Sequence, residues 1–194
     1  MLDLTGTARR VTTVVNGTTT EQLDRPTPCD GMPVRLVLAH LHGLAIAFRD
    51  AAHKLDGPTT STAPDPAAYV LPDDWRDSVP SALAELAEAW RDPAAWEGMS
   101  KAGGLTMPAE VTGLVALDEL VLHGWDLAVA TGQPYDVEPA ALDAAESFCS
   151  QVPDDPGARD GLFGPRVPVA ADAPQLDRVL GLAGRDPRWT PAHR

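Results

Sequence analysis

Three side chains able to bind a metal or move a proton interrupt one apolar run at intervals of four and three residues. The run is LDELVLHGWDLA, residues 117–128, and the three are Glu119, His123 and Asp126. A carboxylate four residues before an imidazole puts both on adjacent turns of one helix face. From there an oxygen and a nitrogen can reach a single divalent ion. At about 100° per residue, Thr112, Ala116, Glu119, His123, Asp126 and Ala130 fall in one narrow sector, and Leu114, Leu117, Leu120, Val121, Trp125 and Val129 cover most of the rest. This sector is either the solvated face of an amphipathic helix or the lining of a hollow between helices. Solvated faces usually carry Lys or Arg as four-residue partners, yet between Lys101 and Arg159 the only basic side chain is His123. The small residues Thr112, Ala116 and Ala130 also suit a hollow.

A second histidine segment, VLAHLHGLAIAF, spans residues 37–48. His40 and His42 are about 200° apart on a helix and cannot share a face. Arg35, His42 and Arg49 recur every seven residues and mark the wet side, while His40 points inward with Val37, Leu44 and Ala47. An inward imidazole needs partners for both ring nitrogens. These are a backbone carbonyl or a water in the core, or a metal ion shared with Glu119 and His123. Taken together, the two histidine helices favour the shared metal. Three protein ligands with a fourth position open is the arrangement of a catalytic zinc site. Asp126, one turn beyond His123, could orient a ligand imidazole or cap the following loop. Cys29 stands just before the second helix, where a helix N-terminus can lower a thiol pKa; a redox or substrate-thiol role and plain packing are both open. His53 and His193 are assigned no chemistry.

Helices must position these groups. Hydrophobic periodicity and stop signals predict helices over 5–16, 33–55, 78–92, 109–130, 139–151 and 175–182. Pro33 suits a first helical turn. The connections 18–33, 59–74 and 154–174 are rich in proline and short polar residues. Residues 93–108 form a short Gly-rich stretch with some extended character, and no strand shows a sustained period of two. The expected fold is all-α, a four-helix bundle over residues 1–150, with a loop-rich C-terminal extension, 151–194, packed on it.

The chain has 194 residues and a formal net charge of -13. Such a surface repels phosphate backbones, so nucleic-acid binding is not expected. No apolar run is long enough to span a bilayer, and MLDLTGTARR lacks the basic start and apolar stretch of a signal peptide. A cytoplasmic location, no membrane partner and two free thiols, Cys29 and Cys149, are the expectation. Trp90 and Trp125 could be core or a dimer face, which leaves a homodimer open.

The order TPC…VRLVLAHLHG followed by LDELVLHGWDLAVATGQP resembles the mycothiol-dependent maleylpyruvate isomerase metal-binding family. This is the actinobacterial branch of the DinB/YfiT-like metalloenzymes. The tail LFGPRVPVAADAPQLDRVLGLAGRDP is similar to its single-domain members. The resemblance implies a four-helix bundle and a divalent metal, usually zinc or nickel, held by one His of the second helix and a Glu and a His of the fourth. The matching positions are His40, Glu119 and His123. Met32, Pro33 and Leu36 depart from the family pattern of a tryptophan, a small polar cap and an acidic residue. They concern the start of the second helix and not the ligand set. The family's isomerase carries a second domain after the bundle, whereas this sequence continues only as a short extension, so its particular isomerisation is not the specific expectation. The expected activity is a thiol-dependent transferase or isomerase, with mycothiol as cosubstrate beside a small-molecule substrate. The alternatives are a metal-dependent hydrolase and a non-catalytic binding module.

Overall fold

A computed structural model describes residues 2–159 and 161–191; His193 lies outside them. Four helices form a bundle: α1 (Thr5–Gly17), α2 (Val34–Ala52), α3 (Trp75–Ala89) and α4 (Ala109–Thr131). α1 and α2 each pack against both α3 and α4 and so occupy opposite corners. Val11, Leu38, Leu41, Leu83, Leu86 and Leu120 meet in a fully buried core, as the apolar stripes of the sequence predict. α5 (Pro139–Gln151) covers α4 from outside the bundle, and α6 (Gln175–Leu182) lies on α5. The Arg178 guanidinium clamps Glu146 across that junction, at 2.8 and 2.9 Å.

This layering explains the composition of α4. A helix enclosed by α1, α2 and α5 has no broad wet side, so apolar residues run almost all the way round it. Its polar sector is not a wet face: Thr112, Ala116, Asp126 and Ala130 have no solvent exposure, His123 is buried, and Glu119 keeps 25% of its side chain exposed. The solvated-face reading is thereby excluded.

The start of α2 is solved by backbone. Pro33 is its N-cap and offers no side-chain cap. The exposed first amides are taken instead by the preceding connection: Val34 N–H donates to Arg25 O at 3.0 Å and Arg35 N–H to Leu23 O at 2.9 Å. α2 ends at Ala52, short of the expected residue 55, because Lys54 turns into the left-handed region (φ 57°). α3 starts a turn earlier than expected, at Trp75, whose indole is buried. Pro80 lies inside it and removes one backbone bond without ending the helix.

Residues 99–108 form an antiparallel hairpin, β1 (Met99–Ala102) and β2 (Leu105–Pro108), with Ser100 opposite Met107. Four-residue strands are too short to show alternation, although the Gly103-Gly104 turn is a hairpin signal. Ser100 Oγ donates to Ala51 O at 2.7 Å and ties the hairpin to the end of α2. Trp90 and Trp125 are both buried, and Trp90 Nε1–H donates to Phe48 O at 3.0 Å. They belong to the core, not to a dimer face. Among the described residues no helix is long and apolar enough to cross a membrane.

Two glycines test this packing in opposite directions. A Cβ at Gly124 on α4 would run into the Tyr135 phenol, whose hydroxyl donates to Leu120 O at 3.0 Å, and into Val11. Gly43 on α2 is exposed and has nothing within 4 Å of an added Cβ. Gly124→Ala is expected to destabilise by about 1–3 kcal/mol through overpacking, and Gly43→Ala to stabilise by up to about 1 kcal/mol through helix propensity. Thermal unfolding of the two variants checks both signs.

Candidate metal centre

α2 and α4 bring the three sequence-selected side chains to one point. His40 Nε2 lies 3.2 Å from Glu119 Oε2, and His123 Nε2 lies 3.1 Å from the same oxygen. The two imidazoles meet edge to face, with centroids 4.7 Å apart. The three ligand atoms lie within 4.8 Å of one another. In a tetrahedral shell with bonds near 2 Å, ligand atoms stand about 3.3 Å apart. The donor set, its chemistry and its spacing therefore fit a divalent ion, with both Nε2 atoms and one carboxylate oxygen facing a common centre.

The electrostatics show how the chain holds these groups together in the metal-free state. Burial pushes the Glu119 carboxyl up, but hydrogen bonds and charge from His123 and His40 outweigh it and hold its pKa well below the usual carboxylate range. Burial pushes His123 down, but Asp126 and Glu119 on its two sides overcome this and raise it to about 9. His123 thus donates through both nitrogens, Nε2–H to Glu119 and Nδ1–H to Asp126, the latter at 3.0 Å.

Asp126 is brought to this cluster as an orienting group and not as a loop cap. It keeps the proton on Nδ1, so the lone pair of neutral His123 is at Nε2, where a metal would sit. It is fully buried and has a second partner that sequence reading missed. Arg185 reaches it from beyond α6, with Nη2 3.1 Å from Oδ2 and Nε 3.3 Å from Oδ1. Burial would raise Asp126, but the Arg185 and His123 charges keep its pKa low. No local signal pairs Arg185 with Asp126; Arg185 follows Gly184, the usual helix-stop residue, which turns the chain with φ 82° against the Gly164 backbone.

Cys29 lies beside His123 and Asp126, and those three also offer close ligand atoms. Two facts disfavour that set. Asp126 is already committed to Arg185, and the Cys29 thiol is pushed up to about 11, first by burial and then by Asp126. The helix terminus expected to lower this thiol is outweighed, so Cys29 is not an activated nucleophile. Asp118, also unselected by the sequence, is buried on another flank of α4. It accepts from the Cys149 thiol at 3.2 Å, and burial raises it to about 7.

Comparison with known proteins came to the same region of the chain. Residues 4–128 match the family model described as the mycothiol maleylpyruvate isomerase N-terminal domain. The fold is similar to the crystal structure of the mycothiol-dependent maleylpyruvate isomerase (TM-score 0.59, 21% identity, 77% of this chain and 68% of that one). It is equally similar to a crystal structure of a histidine-to-alanine mutant of mycothiol-dependent maleylpyruvate isomerase (TM-score 0.61, 19% identity, 80% and 76%). At these identities the likeness shows the fold, which is the DinB-like bundle. No curated protein matches the chain.

The raised His123 sets a pH dependence with a definite sign. Below about 9 a metal must displace the Nε2 proton, so binding at neutral pH releases about one proton. Apparent affinity then rises about tenfold per pH unit from 7 toward 9 and levels off above. Calorimetry in buffers of different ionisation enthalpy reads this directly. Heats independent of the buffer at pH 7 contradict it.

Proposed function

The chain belongs to the mycothiol maleylpyruvate isomerase N-terminal domain family, and from that premise we propose that it is a thiol-dependent isomerase or S-transferase. It uses a divalent metal, zinc by preference and nickel as the alternative, with mycothiol as the thiol and a small electrophile as second substrate. The observation that carries this reading is the convergence of His40 Nε2 and His123 Nε2 on one oxygen of Glu119. The names of the similar structures tie those proteins to mycothiol and maleylpyruvate, and the thiol comes to this chain on that basis.

His40, Glu119 and His123 would hold the ion. When bound, it supplies the positive charge that lowers a thiol pKa and favours the thiolate at neutral pH. The remaining work falls to the chain. Glu119 stays ionised and partly offsets the charge of the ion. Asp126 fixes the His123 tautomer and ring orientation, and Arg185 balances the buried Asp126 charge. In the metal-free cluster burial raises the Cys29 thiol, which disfavours it as a competing thiolate. His123 and Asp126 are buried, and the low polarity around them strengthens their hydrogen bond.

Metal content and thiol titration test the proposal. The purified protein is expected to carry about one divalent ion per chain, and the His40→Ala, His123→Ala double variant less than a tenth of that. With cobalt in place of the native ion, mycothiol should add a thiolate-to-cobalt absorption band. Equal trace metal in both proteins overturns the metal centre. A metal-replete protein blind to thiols but active on ester or amide panels overturns the thiol chemistry and points to a hydrolase.

A further inference from the structure

One aromatic side chain lies against a member of the metal cluster, His40, and neither the ligand set nor its supports account for it. Tyr69 stacks on His40 with ring centroids 5.1 Å apart and planes at 24°. It is half-buried and packs on the core from the connection between α2 and α3. Its phenol is pushed up to about 12, first by burial and then by the charge of Glu119, with Cys29 contributing. The ring thus shares the environment of the ligands while resting on one of them.

The segment bearing it is attached in an unusual way. Tyr69 closes a single turn, Pro66–Ala68, capped by Asp65, whose carboxylate accepts from Ala67 N–H at 2.9 Å. Among the described residues, the backbone amide bonds of 63–71 run inside this turn: Ala68 N–H to Asp65 O and Tyr69 N–H to Pro66 O. Most of 62–70 is exposed, and the neighbouring Val70 is 81% exposed. Pro64, Pro66 and Pro72 stiffen the segment. Tyr69 and Leu71 pack it on the bundle core, and Pro64 rests on the Gly103-Gly104 turn of the hairpin. Segments with few buried apolar contacts and solvent-exposed backbone open at low free energy. A stiff strap with one aromatic foot can swing as a unit.

We propose that residues 62–72 form a strap whose Tyr69 ring gates the His40–Glu119–His123 site and must leave His40 before a thiol the size of mycothiol can reach it. The size of the incoming molecule rests on the proposed function; the gate itself does not. The ring does the covering and the hydroxyl is dispensable.

The test labels the metal-free protein with diethyl pyrocarbonate at neutral pH and follows each histidine by peptide mass spectrometry. In Tyr69→Ala, His40 is expected to react at least fivefold faster than in wild type, while the exposed His53 is unchanged. Tyr69→Phe is expected to keep the wild-type rate, which shows that the ring is what protects. An unchanged His40 rate in Tyr69→Ala overturns the gate, as does equal acceleration in Tyr69→Phe. A general rise at every histidine in Tyr69→Ala marks unfolding instead of opening and also counts against it. In cobalt-loaded protein, Tyr69→Ala should speed both uptake and chelator-driven release by similar factors and leave the equilibrium affinity near wild type. Uptake and release rates both unchanged from wild type contradict the gate, as does a changed affinity that only one of the two rates accounts for. If wild type binds no cobalt, the metal reading falls while the labelling result still decides the gate.

Discussion

Glu119 is an ionised carboxylate on a largely buried helix, with 25% of its side chain exposed, and the neighbourhood is arranged to keep it ionised. A buried charge without partners costs several kcal/mol, and two imidazoles from different helices meet it at one oxygen. That requirement propagates outward. His123 must be held with Nε2 toward Glu119, which Asp126 does from the other ring nitrogen. Asp126 is itself a fully buried charge and needs Arg185. The result is a chain of alternating sign, Arg185, Asp126, His123, Glu119, with the His40 imidazole hydrogen-bonded at its end. A divalent ion would replace the shared proton of His123 as the positive centre of this chain.

The same constraint explains why residues far along the sequence matter to the bundle. Arg185 reaches α4 only because α6 is clamped on α5 through Arg178 and Glu146, and because Gly184 redirects the chain after α6. Arg159 adds a second brace, donating to Gly164 O at 2.8 Å and to Leu182 O at 2.6 Å. The loop-rich segment after α5 thus supplies a counter-charge to the innermost carboxylate of the cluster.

Much of this was legible in residue order, for identifiable reasons. Helical periodicity places His40 inward and Glu119 and His123 on one line, and the lack of cations along that line signals that it is not a wet face. The helices over 139–151 and 175–182 are read correctly because Pro139 and Pro153 bracket the first and Pro174 and Gly184 the second. What escaped is contact between distant segments. Nothing local marks Arg185 as the partner of a carboxylate 59 positions earlier, or Tyr69 as the cover of His40. The sequence leaves Cys29 open between an activated thiol and plain packing, and burial, followed by the Asp126 charge, raises the thiol, which favours packing. The cap of α2 is supplied by carbonyls of Leu23 and Arg25, and no cap residue at position 33 is needed.

The central claim is the identity of the ligand set, and X-ray absorption at the zinc edge addresses it most directly. Zinc-loaded protein without added thiol should show only nitrogen and oxygen neighbours near 2.0–2.1 Å, with the outer-shell signature of two imidazoles from His40 and His123. Addition of mycothiol should bring in one sulfur near 2.3 Å. A sulfur shell already present without thiol would move the metal to Cys29, His123 and Asp126, and a shell without imidazole would remove it from this site.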